Sequence, residues 1–282
     1  MLQRIHDQNW IREGDSPAGA IELERDGFYV LRNEFDEREL SVLKFDIERV
    51  FERIPPDMRP GRISAENAAM FRYEMFNRSL LCQRAIARPN VLAIVDALLG
   101  SDAHVINCTA WRNPSDVEHA PLGQEWHIDG GPHVPRRAGT PWPSHIPYPI
   151  FVIATHIFLE DVSLDDGPTA CVPGSHTSGC LPPRERMWDL ELEYLGRGSE
   201  PMLAKAGDVG FFVSDVWHRR LPPSRLGRGR FFLQTNYGRR EIAQRVRTTD
   251  VCNQVTPEAA ARAVTTRERD LLGLHRAVYY DG

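Results

Sequence analysis

Gln124-Glu125-Trp126-His127-Ile128-Asp129-Gly130 sets two metal-binding side chains, His127 and Asp129, two residues apart in a stretch that reads as a β-strand. Alternate residues of a strand point to one face, so the imidazole and the carboxylate can meet one ion from the same side. The chain has ten histidines, so an H-x-D arises readily by chance, and an ordinary half-buried histidine would explain His127 equally well. A second run, Asp215-Val216-Trp217-His218, changes the balance, because it ends a later strand pair and offers a third ligand. Two histidines and a carboxylate on one face of an octahedron leave the opposite face open for a bidentate co-substrate and O₂.

Working outward, residues 103–237 consist of short β-rich runs separated by Gly and Pro, the spacing of a sandwich or barrel rather than of βαβ units. The runs fall at 104–111, 124–129, 150–159, 169–172, 202–205, 209–213 and 230–237, a number that suits a jelly roll. Residues 130–149 form a long loop rich in Pro and aromatics, and its stiff composition favours a lid over a plain connector. Before the β region, Asp36 with Glu39 is positioned to cap a helix whose apolar face is Leu40, Leu43, Ile47, Val50, Phe51 and Ile54. A further helix is expected over residues 65–81, and another from Pro89 to a stop at Gly100. The tail after Arg239 reads as helical, with Thr256-Pro257 opening one helix. The expectation is one domain over residues 1–282: a helical part at 20–100, a jelly-roll core at 103–238 and a helical tail at 239–282.

Composition narrows the class. Hydrophobic residues make up 41% and charged residues 26%, which excludes a disordered or fibrous chain. The net charge of −5 is spread without a basic stripe, so nucleic acid is not an expected partner. Five widely spaced cysteines (Cys82, Cys108, Cys171, Cys180, Cys252) give neither a disulfide framework nor a thiolate zinc site. The N-terminus has charges where a signal peptide needs an apolar core, and no apolar run approaches membrane-spanning length, so a cytoplasmic protein without membrane contact is expected. Nothing in the sequence bears on oligomeric state.

Gly123-Gln124, Trp126-His127-Ile128-Asp129, Asp165-Asp166-Gly167-Pro168-Thr169, Val172-Pro173-Gly174-Ser175-His176, Ala206-Gly207-Asp208, Trp217-His218 and the run from Arg230 to Tyr237 follow one another in an order that resembles the phytanoyl-CoA dioxygenase family. The resemblance spans residues 20–240. It implies a double-stranded β-helix core, Fe(II), 2-oxoglutarate as co-substrate and O₂, and oxidation of an unactivated C–H bond in a small organic molecule. By motif, His127, Asp129 and His218 would be the iron ligands and catalytic centre. The family also places an Arg on the last core strand, where its planar fork pairs with the far carboxylate of 2-oxoglutarate. Arg228 and Arg230 both compete for that role; the family's basic residue precedes its Gln by four positions, which selects Arg230 before Gln234 and implies one inserted residue in the Pro222-Pro223-Ser224 turn. Arg220 stands where relatives often carry a small hydroxyl residue.

Other residues are weighed against plainer roles. His156 aligns with a position lining the co-substrate pocket, against an ordinary hydrogen-bonded core histidine. Gln124 would face away from His127 on a regular strand, so a place in the cofactor site requires a twist or bulge. Arg112, at the end of a strand beside Trp111, is a candidate to bind a substrate carboxylate, against a solvated strand-end arginine. His133, His145 and Arg136-Arg137 read as surface groups of the loop, His176 as a structural turn residue, and Asp165-Asp166-Gly167 as a hairpin turn. Asp129 is a carboxylate where halogenating relatives carry a small residue, so hydroxylation is expected, with desaturation or ring formation as alternatives within the class. A non-catalytic jelly-roll binding protein would need none of the triad or the Arg, and a zinc hydrolase on the same ligands would have no use for the Arg.

Overall fold

The computed structural model describes residues 16–54, 70–115, 121–244 and 255–276; the charged N-terminus, residues 65–69 of the expected helix and Cys252 lie outside them. Helix α1 (Ala18–Asp26), which the sequence reading did not include, ends where Gly27 takes φ 82° and donates its N–H to Leu23 O. After β1 (Phe28–Leu31) comes α2 (Glu37–Arg53), and here the spacing is borne out. Asp36 accepts from the Glu39 N–H while Glu39 accepts from the Asp36 N–H, and Leu40, Leu43, Ile47, Val50 and Phe51 are buried along one side. The single helix expected over 65–81 is not formed across its described part. Instead β2 (Phe71–Arg72) is followed by α3 (Met75–Arg78) and α4 (Leu80–Ala85). The break lies at Ser79, which is extended (φ −141°) and caps α4 by accepting from the Cys82 N–H at 3.0 Å. Helix α5 (Pro89–Leu99) opens on its Pro and stops at Gly100 as expected.

The β region follows as β3 (His104–Asn113), β4 (Val152–Phe158), β5 (Thr169–Cys171), β6 (Glu193–Tyr194), β7 (Arg197–Gly198), β8 (Glu200–Pro201), β9 (Val209–Val213), β10 (His218–Arg220) and β11 (Arg230–Gly238). The major sheet has the order β1-β9-β4-β11-β3-β2, the minor sheet β10-β5-β8, and β6 pairs with β7 in a small hairpin. Residues 202–205, expected as a strand, contribute only a bridge between Val162 and Ala204. Residues 124–129 run antiparallel beside β10 but pair with it regularly only at His127, which exchanges both backbone hydrogen bonds with His218 at 3.0 Å. The two sheets face each other as a jelly roll, and α6 (Pro257–Arg262) and α7 (Thr266–Leu271) complete the helical flank. No helix among the described residues is long and apolar enough to cross a membrane.

Strand alternation sorts the side chains into layers. Ile153 and Ile157 of β4, Val209, Phe211 and Val213 of β9, and Phe231, Leu233 and Tyr237 of β11 pack outward with the helices in one apolar cluster. Ala154, Phe158, Phe212 and Phe232 point the other way, into the space between the sheets, with Val162, Cys171 and Met202. Trp126, Ile128, Ala170, Val172 and Trp217 form a third cluster on the minor sheet. Between Asn236 and Tyr237 the β11–β3 register slips by one residue, a bulge that sends Asn107, Thr109, Trp111 and Asn113 of β3 inward.

Residues 130–149 are docked rather than free. Asp215, 4% exposed, accepts from the backbone N–H of His133 at 2.8 Å, from the His133 ring, from Tyr148 Oη at 3.1 Å and from Ser214 Oγ at 3.0 Å. His133 is therefore a structural partner of Asp215 and not the surface group expected. Burial would raise the Asp215 carboxyl, but the His133 contacts outweigh it and hold it below its ordinary value. Trp142 packs edge-on against Tyr148 and under Arg136. None of residues 130–149 lines the cleft between the sheets, so this stretch is a side strap here, not a cover.

Ile47, fully buried on the inner face of α2, should cost about 2 to 5 kcal/mol on Ile47→Ala in urea unfolding, whereas Phe45→Ala, at a position 62% exposed, should cost under about 1 kcal/mol. Asp215→Ala strands buried donors at about 1 to 3 kcal/mol each and should make residues 130–149 the first site of limited proteolysis. Unchanged cleavage in that variant would show that Asp215 does not hold the strap.

Candidate metal centre

Three side chains from two segments meet at the mouth of the sandwich. His127 and Asp129 come from residues 124–129 and His218 from β10, and one ligand atom from each lies within 4.8 Å of the others. His127 Nε2 is 3.9 Å and His218 Nε2 3.6 Å from Asp129 Oδ1, and the two imidazole centroids are 4.3 Å apart. Both rings are oriented alike. His127 Nδ1–H donates to Glu125 O and His218 Nδ1–H to Val216 O, each at 2.9 Å and each to the carbonyl two residues back. That bond fixes the tautomer and leaves both Nε2 lone pairs turned toward Asp129, the arrangement a metal ion needs.

Charge in the cluster is set by mutual contact. Burial would raise the Asp129 carboxyl, yet His218, His127 and His156 outweigh it and hold it at about 2. Burial would lower His218, but the adjacent Asp129 raises it above the ordinary histidine value. His127 is lowered, by burial and then by His218. An ionised carboxylate with two inward-facing imidazole nitrogens is the donor set that suits Fe(II) and leaves coordination positions open.

Behind the triad the cleft encloses about 290 Å³. Arg230, 7% exposed, lies at its deep end on β11, donating to Thr169 Oγ1 at 3.0 Å and Asn113 Oδ1 at 3.2 Å, while its Nε has no partner. Burial and then the like charge of Arg220 press its pKa down, so an anionic guest would relieve it. Arg228 is exposed and sits in the turn before the strand, its N–H bonded to Asp166 Oδ1 at 2.7 Å. Asp165 and Asp166 close a 3₁₀ turn rather than a β-hairpin. They grip that following turn, since a Cβ on Gly227 would stand 2.0 Å from Asp165 O.

His156 is buried on β4 with its ring 4.3 Å from Phe232 and 5.2 Å from Phe212, lines the cleft, and has an unpartnered Nδ1. Burial, then Arg230, push it down to about 3, so it is neutral. Gln124 also lines the cleft. Its N–H reaches Arg220 O at 3.0 Å whereas His127 pairs with His218, so three residues on one side span two on the other. This extra residue is the bulge its placement requires.

Arg112 does not join the site. Strand parity turns it to the helix-covered face, where it lies 4.9 Å over Phe51 and 4.7 Å over Phe231 and 3.4 Å from Glu48. Its neighbour Trp111 takes the inward position. Sequence reasoning did not single out Asn107, Thr109, Trp111, Asn113, Gln234 or Asn236, all of which line the cleft. Alternation along 230–237 puts Gln234 and Asn236 on the face of Arg230, whereas the phase of the β3 residues is shifted by its bulge. His176 is a buried structural residue, its Nε2 bonded to Glu24 O at 3.0 Å.

Comparison with known proteins agrees with this geometry. The phytanoyl-CoA dioxygenase (PhyH) family model matches residues 23–220. An ectoine dioxygenase of Bordetella bronchiseptica is 26% identical over 226 residues, 69% of this chain and 66% of the relative, so the match spans just under two thirds of that protein's length. Among solved structures, EctD from S. alaskensis, with 2-oxoglutarate and 5-hydroxyectoine, superposes with a TM-score of 0.59 at 19% identity over 82% of this chain and 79% of that one. HygX from Streptomyces hygroscopicus, with nickel and 2-oxoglutarate, gives 0.56 at 17% identity over 80% and 88%. At these identities the structures establish the shared jelly-roll fold, and the family match covers most of the chain: it belongs to the phytanoyl-CoA dioxygenase family.

Proposed function

We propose that the protein is an Fe(II)- and 2-oxoglutarate-dependent dioxygenase that hydroxylates an aliphatic C–H bond of a small organic molecule. The observation that carries this is a 2-His-1-carboxylate cluster with both imidazoles pre-turned, opening onto a cleft whose deep end holds a buried arginine with spare donor capacity. His127, Asp129 and His218 hold the iron; Arg230, with Thr169 and Asn113 beside it, receives the far carboxylate of 2-oxoglutarate. Bound Fe(II) and 2-oxoglutarate supply the oxidising chemistry, with O₂ consumed and succinate and CO₂ released.

The chain's own residues orient and exclude. Thr169 and Asn113 fix the guanidinium plane, so the co-substrate finds a donor fork already set. His156, neutral and walled by Phe212 and Phe232, presents an uncharged surface beside the keto acid, and Gln124 stands at the rim next to His127. The aromatic rings of Trp111, Phe212 and Phe232 exclude water from the part of the wall that they cover. Asp129, as a full carboxylate, would give the iron an oxygen ligand that a smaller residue could not supply.

Anaerobic addition of Fe(II) and 2-oxoglutarate should produce the visible charge-transfer band of a chelated keto acid, and its absence would refute the assignment. His127→Ala or His218→Ala should abolish both the band and succinate release in a folded protein. Arg230→Ala should raise the KM for 2-oxoglutarate more than tenfold, in line with about 2 to 5 kcal/mol for a buried charged contact, while Arg228→Ala changes it little; the reverse ranking would move the anchor to Arg228. Metal binding requires neutral imidazoles. Protons compete at His218 from above the ordinary histidine pKa, so Co(II) affinity should rise with pH and level off only above His218's raised value. Asp129, held at about 2, adds no dependence in that range. A Co(II) affinity that is flat between about pH 5 and about pH 8 would remove His218 from the ligand set.

A further inference from the structure

The floor of the cleft is a ladder of four facing pairs on β11 and β3: Arg230 with Asn113, Phe232 with Trp111, Gln234 with Thr109, and Asn236 with Asn107. All eight residues line the cleft. From Arg230 to Asn236 the strand rises roughly 20 Å at roughly 3.3 Å per residue, well beyond the reach of a five-carbon diacid anchored at Arg230. The two pairs at the mouth end carry only amides and a hydroxyl, and they are left for a second guest.

Their hydrogen bonds have a fixed direction. Trp111 Nε1–H can only donate, and it donates to Gln234 Oε1 at 2.7 Å. This sets the Gln234 amide, whose Nε2 then donates to Asn236 Oδ1 at 3.4 Å, so Asn236 keeps its NH₂ for a guest. Asn107 Oδ1 and Thr109 Oγ1 are buried with no hydrogen-bond partner, and Thr109 is 1% exposed. Among the described residues Asp129 is the one carboxylate that lines the cleft, so none of them offers a further acidic group to a cationic guest. An alkyl chain laid over this floor would leave each of these groups without a hydrogen bond, at roughly a tenfold loss of affinity per group relative to a guest that supplies one.

Resting on the oxygenase reading, we propose that the substrate is a compact, uncharged, polar molecule with several O–H or N–H donors beside its acceptors, held at Asn107, Thr109 and Asn236, and not an acyl chain. The charge-transfer band formed anaerobically with Fe(II) and 2-oxoglutarate tests the oxygenase reading by itself; if no band forms, that reading fails and the substrate assignment falls with it. Where the band forms, it is titrated with myo-inositol, N-acetylglucosamine and 2-pyrrolidone, and separately with octanoate and octanoyl-CoA. A saturable shift of the band by at least one polar probe is expected. Asn107→Leu and Asn236→Leu should raise the half-saturating concentration tenfold or more while still forming the band, which shows that the variants are folded. A saturable shift by octanoate or octanoyl-CoA, a lack of response to every polar probe, or variants that titrate like the parent would each overturn the proposal.

Discussion

Two backbone hydrogen bonds, exchanged between His127 and His218 at 3.0 Å, tie together segments ninety-one positions apart in the chain and place two imidazoles side by side. The rest of the site depends on that pairing. Because it fixes the register of residues 124–129 against β10, it also fixes where Asp129 lies, and the carbonyl two residues before each histidine is then in place to orient its ring. The minor sheet and the segment bridged to it thus carry the three clustered side chains, and the major sheet, stiffened from outside by the helices, supplies the floor that faces them. Neither sheet alone would make a site.

The same geometry explains the distribution of charge. A carboxylate flanked by three histidines stays ionised despite burial, and a guanidinium at the opposite end is held among neutral oxygens. The cleft is therefore polarised along its length, anionic at the mouth and cationic at depth, before anything binds. Such preorganisation lowers the cost of orienting a charged guest.

The grouping of His127, Asp129 and His218 was legible in the sequence because each sits in a short motif and alternation needs only local information. Arg230 was preferred to Arg228 on its spacing from Gln234, and of the two it is the one that lies buried along the cleft. The failures were of two kinds. Arg112 and Trp111 are neighbours with opposite faces, and an inward or outward assignment requires knowing the phase of the whole sheet, which a bulge in β3 shifts. Ser79 breaks a pattern that reads as one helix, since its side chain can cap as readily as it can continue a turn. The strap at residues 130–149 was misread for a related reason: Asp215, its anchor, lies far along the chain, and its partners become visible only in three dimensions.

The ladder on β3 and β11 divides its labour by position. On the reading proposed above, the deep pairs would hold the co-substrate and the mouth pairs the molecule to be oxidised, so that the two tasks share a scaffold without sharing side chains. Exchanging residues at 107, 109, 234 or 236 would retune recognition while leaving Arg230, Asn113 and Thr169 in register. A lineage, or an engineer, could therefore explore new chemistry from this backbone one rung at a time, each trial retaining a working oxidant.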